Sequence, residues 1–382
     1  MMSSKRIKVL VFIDWYSPGY KAGGPIRSCL NLIARLSEEV DFHVVTRDTD
    51  YMDSEPYKEV KSNEWVKSLE QNANVFYISS KNLSIQTIRR IINSSHWDCI
   101  YLNHVFSFYF SIIPLLFSKK IKVVIAPRGA YADGALSVKS KKKTMYIHLA
   151  NSLRLYKNVF FQATTETEKD QIEKYVRNYQ KVLVAQNLPS KENSQVESEI
   201  VKEIGTLKLF YLARISPEKN LLFALEILNK KKYAGQITFD IYGAINDDKY
   251  WNRCQGVIND LPSNIRVEYK GSIKSSDING VILNYHFLYL PTLGENFGHS
   301  ILESLLMNVP VIISDQTPWN QLSSQNIGWD VVLKEDAFIE IISNALRLNN
   351  DSYQSMRISC EKYVQNFLSN SVQVEQSKQM FL

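Results

Sequence analysis

Two segments of this chain hold side chains suited to gripping an anion and the hydroxyl groups around it. The first is Pro291-Thr292-Leu293-Gly294-Glu295-Asn296-Phe297-Gly298-His299-Ser300-Ile301-Leu302-Glu303, with two carboxylates eight positions apart. The second is Tyr211-Leu212-Ala213-Arg214-Ile215-Ser216-Pro217-Glu218-Lys219-Asn220, with two cations five positions apart. Carboxylates accept hydrogen bonds from hydroxyls, and Arg and Lys donate to phosphate. A sugar linked to a nucleoside through a diphosphate presents both kinds of group.

The surrounding residues say which elements carry these side chains. His286-Phe287-Leu288-Tyr289-Leu290 is an apolar run that reads as a buried strand, and Ile301, Leu302, Leu305 and Leu306 repeat at helical spacing. A strand therefore ends before a loop holding Glu295, and a helix starts near Gly298 with Glu303 in its early turns. The free N–H groups of that helix start suit phosphate. Ser216 is an N-cap type and Pro217 fits a first helical position, which predicts a helix over Pro217–Lys230 with Lys219 in its first turn. A cation there opposes the helix dipole by ~0.3–1 kcal/mol unless an anion neutralises it. Arg214 falls at the end of the preceding strand, where open α/β sheets bind ligands.

Short β-branched runs alternate with helical patterns along the whole chain, which implies parallel sheets covered by helices. Strands are expected at Lys8–Ile13, Phe42–Thr46, Val75–Ile78, Cys99–Leu102, Lys122–Ile125, Val159–Ala163 and Lys181–Val184. Helices are expected at Ile26–Leu36, Ser84–Asn93, Phe106–Lys119, Ser140–Tyr156 and Glu166–Val176. Residues Ser190 to Glu199 are polar and read as a connection. The alternation restarts with strands Lys208–Leu212, Ile237–Tyr242, Val267–Tyr269, Phe287–Leu290 and Val311–Ile313. Two domains are expected from a length of 382 residues. They span residues 1–188 and 189–351, followed by a helical segment, 352–382.

The order Arg214, Pro217-Glu218-Lys219, Glu295, Glu303 resembles the motifs of the family-4 retaining glycosyltransferases. That resemblance implies the α/β GT-B fold: two Rossmann-like doubly wound domains with an interdomain cleft, the last segment returning to the N-terminal domain. It implies that Glu295 contacts the donor sugar, Glu303 the nucleotide ribose, and Asn296, Phe297 and Gly298 the donor. Gly243 resembles the first of two family glycines after the next strand, but Ala244 and Ile245 follow it, and Ala213 stands where the family usually has Gly. In Pro18-Gly19-Tyr20-Lys21-Ala22-Gly23-Gly24-Pro25, Gly23 and Gly24 resemble the family's glycine loop, and the dinucleotide fingerprint Gly-x-Gly-x-x-Gly is absent. His104 resembles a histidine that reaches the donor sugar. Arg128, in Pro127-Arg128-Gly129, is placed to meet an anionic acceptor.

Composition narrows the partners. Net charge is +6, mildly basic, which permits nucleotide diphosphates or an anionic membrane, and no feature points to nucleic acid. Cys29, Cys99, Cys254 and Cys360 are scattered, so neither a Cys-x-x-Cys metal site nor a disulfide framework is expected, and a reducing, cytoplasmic setting fits them. Residues 134 to 165 hold no acid, while Lys139, Lys141, Lys142, Lys143, Arg154 and Lys157 interleave with Met145, Ile147, Leu149, Leu153 and Leu155. That pattern fits either a solvated helix face or a peripheral contact with the inner, anionic face of a membrane. Asp48-Thr49-Asp50 looks like a metal-binding Asp-x-Asp but reads as a polar loop, so no metal and no cofactor are expected.

The expected activity is a metal-independent, retaining hexosyl transfer from a nucleotide-diphospho-sugar to a glycan or lipid-linked acceptor, in surface polysaccharide biosynthesis. Arg214, Lys219, Glu295 and His104 are the expected catalytic groups. Gly23, Gly24, Gly243, Asn296, Phe297, Gly298 and Glu303 are the expected donor site, and Arg128, Lys141, Lys142 and Lys143 the acceptor side. A nucleotide-sugar epimerase of the same fold and a non-catalytic sugar-nucleotide-binding subunit are the alternatives. A panel of labelled donors separates the three.

Overall fold

The computed structural model describes residues 6–68, 72–132, 135–136, 140–190, 200–369 and 371–382. The chain divides into two compact units, one of Met1–Lys191 with Ser371–Leu382 and one of Glu192–Asn370. Lys139 and residues 191–199 of the polar connection lie outside the described residues.

The first unit is built on an eight-stranded sheet ordered β3-β4-β2-β1-β5-β6-β7-β8. Its strands are β1 (Ile7–Phe12), β2 (Val40–Arg47), β3 (Trp65–Lys67), β4 (Asn74–Ile78), β5 (Cys99–Asn103), β6 (Lys122–Ala126), β7 (Val159–Ala163) and β8 (Lys181–Val184). All neighbours run parallel except β3, which is antiparallel to β4. Both faces are buried. Leu10, Phe12, Ile100, Leu102, Val123 and Ile125 enter one apolar cluster. The alternate residues Val9, Val11, Cys99, Tyr101 and Val124 enter another. Each large side chain so buried contributes about 1.5–3 kcal/mol, and burial of both faces explains why these strands read as unbroken apolar runs. The covering helices are α1 (Gly24–Leu36), α2 (Ile85–Ile92), α3 (Ile113–Phe117), α4 (Ser140–Ser152) and α5 (Glu166–Tyr175). The expected helix Phe106–Lys119 begins instead as a π-helical turn, Phe108–Ile112, before α3.

The second unit carries a fully parallel sheet ordered β11-β10-β9-β12-β13-β14. Its strands are β9 (Thr206–Leu212), β10 (Gln236–Tyr242), β11 (Ile265–Gly271), β12 (Phe287–Leu290), β13 (Val311–Ser314) and β14 (Gly328–Val331). Its helices are α6 (Leu221–Lys230), α7 (Asp248–Asn259), α8 (Ile278–Ile282), α9 (His299–Leu306), α10 (Glu335–Arg347) and α11 (Asn350–Leu368). The last helix, α12 (Ser371–Gln379), belongs to the first unit. There Phe381 packs edge-on against Phe42 and Tyr101, at 5.7 and 5.5 Å. The segment 352–382 is thus divided between the units.

Strands β3 and β14 carry no apolar run long enough to announce them. β14 pairs with β13 only because Gly328, at φ 142°, lets the two backbones approach; a Cβ there would lie 2.1 Å from the Val311 carbonyl oxygen.

Candidate active site

In the second sheet the chain runs from β9 outward to β10 and β11, then crosses back to β12 on the other side of β9. The loops after β9 and β12 therefore leave in opposite directions from neighbouring strand ends. Such a switch point opens a crevice where α/β sheets bind ligands. Arg214 and Lys219 follow β9, and Glu295 follows β12.

Hydrogen bonds join the two loops. The Glu218 carbonyl accepts from the Leu293 amide at 2.9 Å and from the Thr292 hydroxyl at 3.1 Å. The Asn220 amide side chain donates to the Pro291 carbonyl at 2.9 Å. These contacts break the helix expected from Pro217 to Lys230. Pro217–Lys219 is a short 3-10 turn, Asn220 is left-handed at φ 57°, and α6 starts only at Leu221. A continuous helix needs the Leu222 amide to donate to the Glu218 carbonyl. That carbonyl is taken by the β12 loop, and the Leu222 amide donates to the Tyr250 hydroxyl at 2.8 Å instead. Lys219 consequently does not sit in the first turn of an α-helix, and Ser216 makes no cap bond; its hydroxyl is buried without a partner among the described residues.

A direct ion pair neutralises Lys219 instead. Its Nζ lies 2.7 Å from Glu295 Oε1 and 3.3 Å from the Gly294 carbonyl oxygen, with both side chains 13% exposed. The buried Tyr211 hydroxyl reaches the carbonyl oxygens of both Arg214, at 3.2 Å, and Lys219, at 3.4 Å. Burial raises the Tyr211 phenol well above its usual range, so it persists as a donor. The Arg214 guanidinium makes no hydrogen bond or ion pair among the described residues and is half-buried. Sequence reasoning missed Tyr211 and Asn220 as the residues that set this turn; no local pattern marks them.

Around the start of α9, Gly298 is left-handed at φ 81°, and a Cβ there would press on Ile301 Cδ1 at 2.8 Å. Trp319 Nε1 donates to the Phe297 carbonyl oxygen at 2.5 Å. The Phe297 ring is buried among apolar side chains and packs on His299 and Trp319, so its side chain serves the core. Asn296 and Glu303 are half-buried, and Glu303 lies on α9. Gly243, at φ 148°, has a local duty: a Cβ would overlap the Ala213 carbonyl oxygen at 1.9 Å, beside Arg214. It lets the β9 and β10 loops run together as far as the Ile215–Ile245 bridge.

The first unit has its own switch point, between β1 and β5. His104 follows β5 with φ 90°, a backbone conformation non-glycine residues seldom adopt and one that concentrates at functional sites. Its Nδ1 accepts the Phe106 amide at 3.1 Å, which places the proton of the neutral ring on Nε2. Gly23, at φ 74°, caps α1 with open space where a Cβ would be, and Gly24 begins the helix. Arg128 has φ 57°; its guanidinium donates to Asn187 Oδ1 at 2.5 Å, the Tyr101 hydroxyl at 2.8 Å and Asn103 Oδ1 at 2.9 Å. It tethers strand ends inside the unit, with one buried nitrogen, Nε, unpartnered.

The Asp48-Thr49-Asp50 segment is buried rather than a surface loop. Asp50 accepts the amides of Tyr20, Lys21 and Tyr51 and so shapes the glycine loop, while Asp48 accepts the Ser62 hydroxyl. On α4, Lys141 and Lys142 are exposed with Met145 and Leu149, whereas Lys143 turns inward. Lys143 Nζ donates to the Ala135 carbonyl at 2.5 Å and lies 5.5 Å from the Phe106 ring centre.

Residues 193–362 match the family model described as glycosyl transferases group 1. Solved structures similar over nearly the whole chain include sucrose-phosphate synthase from Thermosynechococcus elongatus, at 14% identity and a TM-score of 0.69, covering 99% of this chain and 98% of that one. Anabaena Alr3699/HepE in complex with UDP-glucose aligns at 14% identity and 0.68, covering 98% of each chain. WaaG, a glycosyltransferase involved in lipopolysaccharide biosynthesis, aligns at 13% and 0.66, covering 98% of this chain and 99% of that one. No curated protein matches the sequence at a significant level. The chain has the GT-B glycosyltransferase fold, and the group 1 domain match across its second unit supports glycosyl transfer.

Proposed function

We propose that this protein is a retaining glycosyltransferase that takes a sugar from a nucleotide-diphospho-sugar. The observation that carries the reading is the joined pair of loops at the β9–β12 switch point, with Lys219 and Glu295 paired across them and Arg214 on the β9 loop. The bond between the anomeric carbon and the phosphate oxygen breaks, and its electron pair goes to the diphosphate. The Arg214 guanidinium, the Lys219 ammonium and the amides at the start of α9 are the groups that would stabilise the growing charge. Glu295, held by Lys219, receives the sugar hydroxyls, and Glu303 the ribose. The acceptor oxygen bonds to the anomeric carbon on the face the diphosphate leaves, and its proton passes to the departing phosphate. No metal enters this scheme. Alr3699/HepE, the similar protein with UDP-glucose, makes that donor the first to try.

We assign the first unit, with His104 and the Gly23-Gly24 loop, to the acceptor and sugar side, and a glycan or lipid-linked acceptor to the reaction. WaaG's role in lipopolysaccharide biosynthesis favours surface polysaccharide assembly. Among the described residues no helix is long and apolar enough to cross a membrane. The exposed Met145, Leu149 and Leu153, at 68%, 55% and 61%, with Lys141 and Lys142, support peripheral contact with an anionic cytoplasmic membrane face. The test is incubation with radiolabelled UDP-, GDP- and ADP-sugars. Transfer or slow donor hydrolysis with retained anomeric configuration supports the reading; epimerised donor or binding alone contradicts it.

A further inference from the structure

At the β1–β5 switch point of the first unit, two charged side chains meet without satisfying each other. Asp14 follows β1, Arg47 ends β2, and Ser107 follows β5, three strands adjacent in the sheet. Backbone bonds hold the frame: the Arg47 amide and the Thr46 hydroxyl each donate to the Asp14 carbonyl at 3.3 Å. The Ser107 hydroxyl donates to Asp14 Oδ1 at 2.9 Å. One guanidinium nitrogen of Arg47 approaches that same oxygen, but only to 3.5 Å.

The remaining bonding capacity is unused. Arg47 Nε is buried with no partner, and Asp14 Oδ2 has none among the described residues. The Lys21–Asp53 ion pair of the same unit closes much further, to 2.6 Å. Burial raises the Asp14 carboxyl from its ordinary value, against the lowering effect of the Ser107 hydrogen bond and of Arg47. The Arg47 guanidinium lies 5.9 Å from the Trp15 ring and 5.2 Å from the Phe110 ring. Trp15 is half-buried, and Tyr51 meets it edge-on at 4.9 Å.

A ligand that completes this cluster must donate to a carboxylate and accept from a guanidinium at once. It must also offer an apolar patch to an indole. The pair has no net charge, so an anion gains from Arg47 what it loses to Asp14. A neutral sugar ring meets all three demands, because neighbouring hydroxyls both donate and accept and its C–H face is apolar. We propose that Asp14, Arg47 and Trp15 form a subsite for a neutral sugar residue of the acceptor. The sugar's place as acceptor rests on the transferase reading above; the subsite itself does not. It lies on the same β5-to-π-turn segment as His104, through Ser107.

Saturation-transfer NMR on the full chain tests this with the methyl glycosides of glucose, galactose and mannose, and with glucuronate and inorganic phosphate as anionic probes. At least one neutral glycoside is expected to bind in the millimolar range. Asp14→Asn and Arg47→Lys, both close in shape, should each weaken it about tenfold or more, the scale of a hydrogen bond to a charged group. Trp15→Leu should weaken it too. Calorimetry with UDP, GDP and ADP reads the second unit separately and should be unchanged in these variants. Failure of the parent to bind any nucleotide would overturn the transferase reading and leave the subsite standing if the glycoside binds. The subsite is overturned if no neutral glycoside binds the parent, if binding survives both Asp14→Asn and Arg47→Lys, or if glucuronate or phosphate binds more tightly.

Discussion

The Lys219 ammonium sits 2.7 Å from the Glu295 carboxylate, a pair formed across 76 positions of sequence by two loops from adjacent strands. In the proposed reaction Lys219 faces the donor's diphosphate and Glu295 its sugar, and each charge holds the other in place. Removing one partner therefore leaves a mostly buried charge as well as a lost contact.

Lys219→Ala and Arg214→Ala are each expected to lower kcat by about 100-fold or more, the scale of losing one charge contact to a transition state. Steady-state kinetics with the competent donor checks this, with circular dichroism to confirm folding. Turnover near that of the parent in both variants would refute the role.

Glu303→Ala should weaken binding of the free nucleoside diphosphate and of the intact donor alike, because the ribose is common to both. Glu295→Ala should weaken only the intact donor. Calorimetry with the two ligands distinguishes them, and equal losses for both ligands in both variants would contradict the assignment.

His286 is fully buried, its Nδ1 accepting the Lys208 amide at 3.0 Å. Burial, with Lys202 and Lys208 nearby and the Val201 carbonyl opposing, lowers its pKa from 6.5 to about 4. Between those values the unfolded chain binds a proton that the folded chain refuses, so stability falls as pH drops from about 6.5 to about 4. The full difference is about 3 kcal/mol. Thermal unfolding from pH 7 to pH 4 should show a shallower decline for His286→Gln than for the parent, whatever its loss at pH 7. Parallel curves would show that this histidine does not titrate as its burial implies.

Lys141→Gln with Lys142→Gln should reduce sedimentation with anionic liposomes, most at low salt, since each lysine near such a surface contributes ~1 kcal/mol. Met145→Ser with Leu149→Ser should reduce it at all salt concentrations. Lys143 is left in place because it is committed to Ala135 and Phe106. A parent that never sediments, or variants that sediment equally, would make this a solvated face.

Much of the framework was legible before any coordinates. Parallel strands buried on both faces are short apolar runs, so β7, β8 and β12 appear at their expected bounds and most others within two residues. Glu295 and Glu303 could be placed on a loop and a helix because turn residues and helical spacing are local signals. What sequence did not determine is which distant groups meet. The broken helix at Asn220, the core duty of Phe297, the inward turn of Lys143 and the open Asp14–Arg47 pair all depend on strand order and on loops from neighbouring strands. Local spacing sets a residue's element and its face, over distances of one or two turns. Which carbonyl that element then meets, and whether a charge is paired or left open, is decided only when the sheet assembles and competing hydrogen bonds are shared out.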